Sequence, residues 1–366
     1  MIADRMQGFQ ASGIRKVFDL AQKIKNPINL SIGQPDFDVP DEIKREAVRA
    51  IESGFNRYTI TQGIPELSEK VLQEAKTEHG IICNSIMMTS GVAGALTLAF
   101  LVLINPGDEI LVPDPYFVSF KHLIKLCGGD IKFIDTYPDF ELTPDRVLSS
   151  ISPRSKILLI NSPSNPTGVV CKPQHIIEIC EIANKHNLLI ISDEIYRKFV
   201  YDTSYQSAGK FYENTLTCNG FSKSYAMTGW RLGSVIGPKK IINEMIKLQQ
   251  YTYICAPSFA QMAGVKALDI DMSMYIEAYK KKRDFVYNGL KDRYKLIKPE
   301  GAFYLFPQVP MGTDEEFATR AIEEDLLIIP GSVFSEKNSH FRLSYAASFE
   351  TLERGINVLN SMSLLH

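Results

Sequence analysis

Between Asn219 and Gly233 the chain reads N-G-F-S-K-S-Y-A-M-T-G-W-R-L-G, which sets the hydroxyl of Ser222 beside the amine of Lys223 and puts a guanidinium, Arg231, shortly after. Gly220, Gly229 and Gly233 crowd around them. Each glycine costs a helix or strand roughly 0.5–1 kcal/mol relative to alanine, so a loop is expected here. An amine attacks carbonyl carbon, while a hydroxyl and a guanidinium donate to anions. This pairing suits a ligand that carries both an aldehyde and a phosphate; a solvated turn with incidental basic residues is the alternative.

Other residues have chemistry of the same kind. Asp193 ends the apolar run L-L-I-I-S-D, where desolvation raises a carboxylate pKa unless a cation pairs with it. A protonated pyridine nitrogen would be that cation; a helix-capping carboxylate is the alternative. Tyr196 lies three residues on and could donate to a phenolate-type oxygen, or could be a core tyrosine. Asn165, held between Pro163 and Pro166, could donate to the same oxygen, or mark a turn. The S-G-V-A-G turn at residues 90–94 precedes an apolar helical pattern, so it presents free backbone N–H groups at the positive end of a helix, a ready anion site, or is an ordinary Gly-rich strand-to-helix turn. Arg231 adds a bidentate donor suited to phosphate. Taken together, these groups call for an aldehyde-bearing, phosphorylated aromatic nitrogen heterocycle, which is pyridoxal 5'-phosphate with Lys223 as its Schiff-base lysine.

The elements that must position these residues alternate. From Ile86 the short apolar runs I-M-M-T, E-I-L-V-P, I-K-F-I, K-I-L-L-I-N and L-L-I-I-S are separated by helical periods at Val92–Ile104, Val118–Leu126, from Pro144, and Pro173–His186. Strands apolar on both faces imply an α/β fold with a mostly parallel central sheet flanked by helices, whose ligands sit beyond the carboxyl ends of the strands. After Pro238 the alternation stops. Helices are expected over Lys239–Gln250, Ser258–Leu268, Tyr275–Leu290, Glu315–Glu323 and from Phe349, with short strands in A-F-Y-L-F-P, L-L-I-I-P and F-R-L-S-Y. This pattern predicts a large domain over 34–256 and a smaller α+β domain from 1–33 plus 257–366. An amphipathic pattern at Ile14, Val17, Phe18 and Leu20 through Ile24 belongs to the latter.

A formal charge of −2 argues against nucleic acid as a partner. The six cysteines have neither metal-ligand nor disulfide spacing, so no metal site is expected and a reducing, cytoplasmic location is. The N-terminus lacks the apolar core of a signal peptide, and no apolar run is long enough to span a bilayer.

The motifs N-L-S-I-G-Q-P-D-F, R-Y-T-I-T-Q-G-I-P-E-L, N-S-P-S-N-P-T-G, S-D-E-I-Y, F-S-K-S-Y-A-M-T-G-W-R-L-G and F-R-L-S-Y-A follow one another along nearly the whole chain. In this the sequence resembles a class I/II aminotransferase of the fold-type-I pyridoxal-phosphate enzymes. The resemblance implies that Lys223 anchors the cofactor and shuttles a proton, that Asp193 keeps the pyridine nitrogen protonated, and that Tyr196 and Asn165 bind the ring oxygen. Phe117 would stack on the ring, with Tyr116 as the alternative one residue away. Ser222, Arg231 and the amides of Val92 and Ala93 would hold the phosphate, joined by Tyr58 reaching across to the other subunit's cofactor in a homodimer with shared sites. Arg342 would pair with the substrate α-carboxylate, with a backbone contact from Gly33 and Asn165 nearby.

The expected activity is a ping-pong transfer of an amino group from an L-amino acid to a 2-oxo acid. A lyase on the same scaffold, acting on C–S bonds or resembling an aminocyclopropane-carboxylate synthase, is the alternative, and a non-catalytic regulator the third reading. Ala93 stands where the aspartate-specific branch carries a lysine that reads a second carboxylate. The resemblance therefore points away from dicarboxylates and toward apolar or aromatic side chains, with Tyr116 and Phe18 possible neighbours.

Overall fold

The chain was analysed as a computed structural model, which describes residues 25–363 together with Ile2, Ala3 and Met6. The amphipathic pattern from Ile14 to Ile24, Phe18 included, lies outside the described residues. Seven apolar runs become the strands β2 (Ser85–Ser90), β3 (Glu109–Asp114), β4 (Asp130–Asp135), β5 (Ser155–Asn161), β6 (Leu189–Asp193), β7 (Thr215–Gly220) and β8 (Leu232–Gly237). They form one sheet in the order β2-β8-β7-β6-β5-β3-β4.

Successive side chains of a strand point to opposite faces, and here both faces are apolar. Ile157, Leu159, Leu189 and Ile191 pack on one side with Leu96, Ala99 and Phe100 of the Gly91–Leu103 helix. Leu158, Ile160 and Ile190 pack on the other with Ile176, Ile179 and Ala183 of the Pro173–Lys185 helix. Burial on both faces is what makes the runs continuous rather than alternating in sequence.

β3 to β7 run parallel, whereas β8 lies antiparallel between β7 and β2. Because β2 is antiparallel to β8 in turn, it points the same way as β7. The residues after β2, β5, β6 and β7 and the residue before β8 therefore share one edge of the sheet. Arg231 reaches that edge because it precedes a reversed strand.

The Asn219–Gly233 stretch is not a loop throughout. Asn219 and Gly220 end β7, Phe221–Ser224 makes one helical turn, and Leu232 and Gly233 open β8. The glycines tolerate this because the chains come too close for a side chain. A Cβ on Gly233 would stand 2.6 Å from the Gly91 carbonyl carbon and 2.9 Å from the Val92 nitrogen. Close approach outweighs the entropic penalty of glycine in a strand.

The remaining strands are short. β1 (Ile28–Asn29) pairs in parallel with β10 (Leu326–Leu327), which ties the N-terminal segment to the C-terminal part. β9 (Tyr304–Leu305), β11 (Ile329–Pro330) and β12 (Phe341–Ser344) form an antiparallel sheet in the order β11-β12-β9. The run L-L-I-I-P is thus two strands in two sheets, split at Ile328, since Leu326 and Leu327 face β1 while Ile329 pairs with Arg342. The Ser258–Ala267 helix lies against the Asp41–Glu52 helix, both presenting small buried residues: Ala260, Ala263 and Ala267 on one, Ala47 and Ala50 on the other. Among the described residues no helix is long and apolar enough to cross a membrane.

Candidate active site

At the shared edge the sheet opens into a cavity of about 270 Å³, lined from β2's end by Val92 and Ala93, from β6's end by Asp193 and Tyr196, and from β7's end by Ser222 and Lys223. Gly33, Phe117, Asn165, Arg231 and Arg342 complete its wall among the residues singled out from sequence. Tyr58 lies elsewhere, 78% exposed on the surface. Phe117, not Tyr116, lines the cavity. The Tyr116 ring stacks on Phe133 and its hydroxyl donates to Glu336 Oε1 at 2.6 Å, which holds it away.

Lys223 sits on the single helical turn after β7, and its Nζ donates to the Gly33 carbonyl at 2.6 Å. Burial lowers its amine pKa to about 8, with the Arg342 and Arg231 charges acting in the same direction. At neutral pH about a tenth of such an amine is unprotonated, against well under a hundredth for an exposed lysine. Asp193 ends β6, and its Oδ1 accepts from the Ile195 N–H at 3.1 Å. Burial pushes this carboxyl up to about 7, the nearby Glu194 charge adding to the rise and Lys223 opposing it. It is a carboxylate without a guanidinium or ammonium close enough to neutralise it.

Asn161, the last residue of β5, joins two neighbouring strand ends. Its Oδ1 accepts from the Asn165 N–H at 2.9 Å, and its Nδ2 donates to the Asp193 carbonyl at 3.2 Å. Asn165 Oδ1 accepts in turn from Arg342 Nη1 at 3.0 Å, while Arg342 Nη2 donates to the Ser31 carbonyl at 2.8 Å. The Arg342 guanidinium is 1% exposed and lies between the rings of Tyr304 and Phe334, 4.6 and 4.5 Å from its Cζ. Its Nε has no partner among the described residues. A buried guanidinium with no carboxylate beside it is prepared for an anion from outside.

The anion end of the cavity is separate. The Gly91–Leu103 helix starts without a side-chain cap, which leaves its first-turn N–H groups free of side-chain partners. Arg231 adopts a left-handed backbone with φ of 54°, and its guanidinium donates to the Thr228 carbonyl at 2.8 Å and the Ser90 carbonyl at 3.4 Å. A non-glycine residue held in that region is strained, and here the strain aims a cation over the helix start. Gly91, also left-handed, leaves the room: a Cβ there would stand 2.6 Å from Arg231 Nη2.

The profile of the aminotransferase class I and II family matches residues 25–359. The chain belongs to that family. Among its relatives, the probable aspartate aminotransferase of Methanocaldococcus jannaschii is 39% identical, covering 99% of this chain and 100% of the relative. Aromatic-amino-acid aminotransferase 2 of Thermococcus litoralis is 36% identical, covering 97% and 96%. The solved aspartate aminotransferase from Thermus thermophilus with maleate superposes with a TM-score of 0.95 at 32% identity, covering 100% of both chains. The fold is fold type I, and the protein is a transaminase; no relative named here is a lyase or a regulator.

Sequence reasoning missed Tyr304, Asn161, Leu96, Ile195 and Thr228 in this aminotransferase's cavity. Tyr304 had a signal. It is a hydroxyl inside the apolar run A-F-Y-L-F-P, and a buried tyrosine needs a partner for its O–H. Here that partner is the Tyr196 hydroxyl, 2.8 Å away.

Proposed function

We propose that this aminotransferase holds pyridoxal 5'-phosphate on Lys223 and moves amino groups from L-amino acids with apolar or aromatic side chains to a 2-oxo acid. The observation that carries the reading is the half-buried Lys223 amine, lowered to about 8, sharing one cavity with the raised carboxyl of Asp193. The donor set fits the cofactor at three points: an amine for its aldehyde, a buried carboxylate for its pyridine nitrogen, and uncapped amides with Arg231 and Ser222 for its phosphate. Gly91 and Gly233 are the cradle, since a Cβ at either would fill it.

Bound there, pyridoxal phosphate supplies an aldehyde that takes up an amino group and a ring that draws electron density from the substrate α-carbon. Asp193 pairs with the protonated ring nitrogen, which removes the reason for its raised pKa. Tyr196 and Asn165 would donate to the ring oxygen. Arg342 would bind the substrate α-carboxylate through its planar fork. Lys223 Nζ would carry the proton taken from the substrate α-carbon.

Among the described residues, the part of the lining made by Val92, Ala93, Leu96, Phe117 and Ile195 carries no cation for a second carboxylate, which supports an apolar or aromatic side chain. The exposure of Tyr58 supports its reading as a residue that completes the other subunit's phosphate site in a homodimer. Six free cysteines support a cytoplasmic location. We divide the chain into a large domain and a smaller one built from both termini; the pairing of β1 with β10 supports the second grouping. The packing of Ser258–Ala267 on Asp41–Glu52 supports drawing the boundary after that helix rather than at 256.

Purified protein should be yellow, and amino acids added singly without an acceptor should bleach it, with phenylalanine or leucine more effective than aspartate. Lys223→Ala should remove the visible band. A band that persists in that variant refutes the lysine assignment, and fastest bleaching by aspartate refutes the substrate class.

A further inference from the structure

We infer that Tyr304 is a positioning residue whose hydroxyl donates to Tyr196 Oη and thereby turns the Tyr196 proton toward the cofactor's ring oxygen. The inference rests on the proposed role of Tyr196 and extends it to a residue in the smaller sheet.

The geometry is specific to this pair. Tyr304 lies on β9, whose pairing with β12 sets Tyr304 opposite Ser344, two residues from Arg342. Its ring is 1% exposed and covers one face of the Arg342 guanidinium at 4.6 Å. The two hydroxyls are 2.8 Å apart and both buried. In such a pair one oxygen donates and the other accepts, so the direction decides what Tyr196 can do. If Tyr196 donated to Tyr304, its only proton would be used and it could not donate to the cofactor. If Tyr304 donates, the Tyr196 proton is free for the ring oxygen, and a hydroxyl that accepts one hydrogen bond is a stronger donor of the next.

Charge favours the second direction. The charged groups that face the pair are Arg342, which acts on both phenols and stacks on the Tyr304 ring at 4.6 Å, Lys223, whose Nζ lies 6.0 Å from the Tyr196 ring centre, and Asp193, which acts on Tyr196. The closer cation on its ring makes Tyr304 the readier proton donor, and a carboxylate near Tyr196 makes that oxygen the better acceptor. Tyr304 Oη is also held from behind, because a Cβ on Gly33 would stand 2.6 Å from it, and Gly33 has its own carbonyl on Lys223 Nζ.

The test is a pH titration of the visible absorbance of cofactor-loaded protein, for wild type, Tyr304→Phe, Tyr196→Phe and the double variant. A weaker Tyr196 hydrogen bond stabilises the ring oxygen anion less and raises the pH at which the band shifts. Tyr304→Phe should raise the midpoint by about half a unit or more, a roughly threefold change in proton affinity, and should add nothing in the Tyr196→Phe background. Phenylalanine keeps the ring on Arg342, so KM for the amino donor should stay within about twofold. An unchanged midpoint in Tyr304→Phe, or an equal rise with and without the Tyr196 hydroxyl, overturns the inference while leaving the cofactor assignment intact. A wild-type protein without any visible band overturns both.

Discussion

Asp193 should make the cofactor-free protein less stable, and the size of the effect follows from its burial. Its carboxyl has an ordinary pKa of 3.8 and is pushed up to about 7 in the fold, first by desolvation. A raised acid pKa means that the folded protein binds more protons than the unfolded chain between those two values, so stability falls as pH rises through the window and is level above about 7. At about 1.36 kcal/mol per pKa unit, the penalty is roughly 2 kcal/mol at pH 5 and about 4 kcal/mol at pH 8. Asp193→Asn removes the titration and keeps an acceptor for the Ile195 N–H, which Asp193 Oδ1 meets at 3.1 Å. The variant should therefore be more stable than wild type at pH 8, by an amount roughly 2–3 kcal/mol larger than its advantage at pH 5.

The assay is denaturant unfolding of cofactor-free wild type and Asp193→Asn at pH 5 and pH 8, followed by circular dichroism. The same experiment with pyridoxal phosphate should reverse the ranking, because the carboxylate then gains a cationic partner and the folded state gains the binding free energy of the cofactor. An amide offers the ring nitrogen no charge. Equal stabilities at pH 8 without cofactor, or a variant that stabilises as well as wild type when cofactor is added, would refute the reasoning. Asp193 would then be an ordinary structural carboxylate.

Three further outcomes are expected. Gly33→Ala would place a Cβ 2.6 Å from Tyr304 Oη, and should lower kcat/KM at least about tenfold, whereas a fully active variant would show that the contact relaxes freely. Arg342→Lys keeps the charge but loses the fork that spans Asn165 Oδ1 and the Ser31 carbonyl; KM for the amino donor should rise on the order of 100-fold, and an unchanged KM would remove Arg342 from the carboxylate site. His79 is half-buried and its imidazole is pushed down to about 3 from 6.5, by desolvation and then by the Arg197 charge. The unfolded chain binds the proton that the folded protein refuses, so stability falls as pH drops below 6.5; His79→Asn should recover about 1–2 kcal/mol at pH 5 and nothing at pH 8, as read from unfolding at the two pH values.

The parts of the fold legible in sequence are those where one physical cause dominates. Burial on both faces makes K-I-L-L-I-N and L-L-I-I-S read as interior strands, and their observed spans, Ser155–Asn161 and Leu189–Asp193, follow the apolar runs closely. The direction of β8 was not legible. L-G-S-V-I-G is apolar whichever way it runs, and its reversal is set by its pairing between β2 and β7, residues far apart in the chain. Yet that reversal brings Arg231 to the same edge as Lys223. The glycines of the same stretch were legible as close approaches but misleading as loop formers, because a propensity of under 1 kcal/mol gives way to a backbone crossing that admits no Cβ.

The site divides along the same line. Asp193 ends a strand, and Lys223 and Asn165 lie within four residues of strand ends, so a rule about strand ends finds them, and applied to the last residue of β5 it would have found Asn161. Tyr304 and Arg342 obey no such rule. They arrive from the β9 and β12 pairing, and their partners Tyr196 and Asn165 lie 108 and 177 residues away in the chain. Without the family resemblance Arg342 reads as a surface cation; in the fold it is buried, and its Nε, like those of Arg197 and Arg283, has no partner among the described residues. A cation taken out of water with no carboxylate beside it lowers stability unless something compensates. Here the two flanking rings and two hydrogen bonds compensate in part. Burial first, and then the Arg342 and Arg231 charges, make Lys223 less basic; on the proposed reading of Arg342, carboxylate recognition and lysine reactivity therefore share one of the charges that set them.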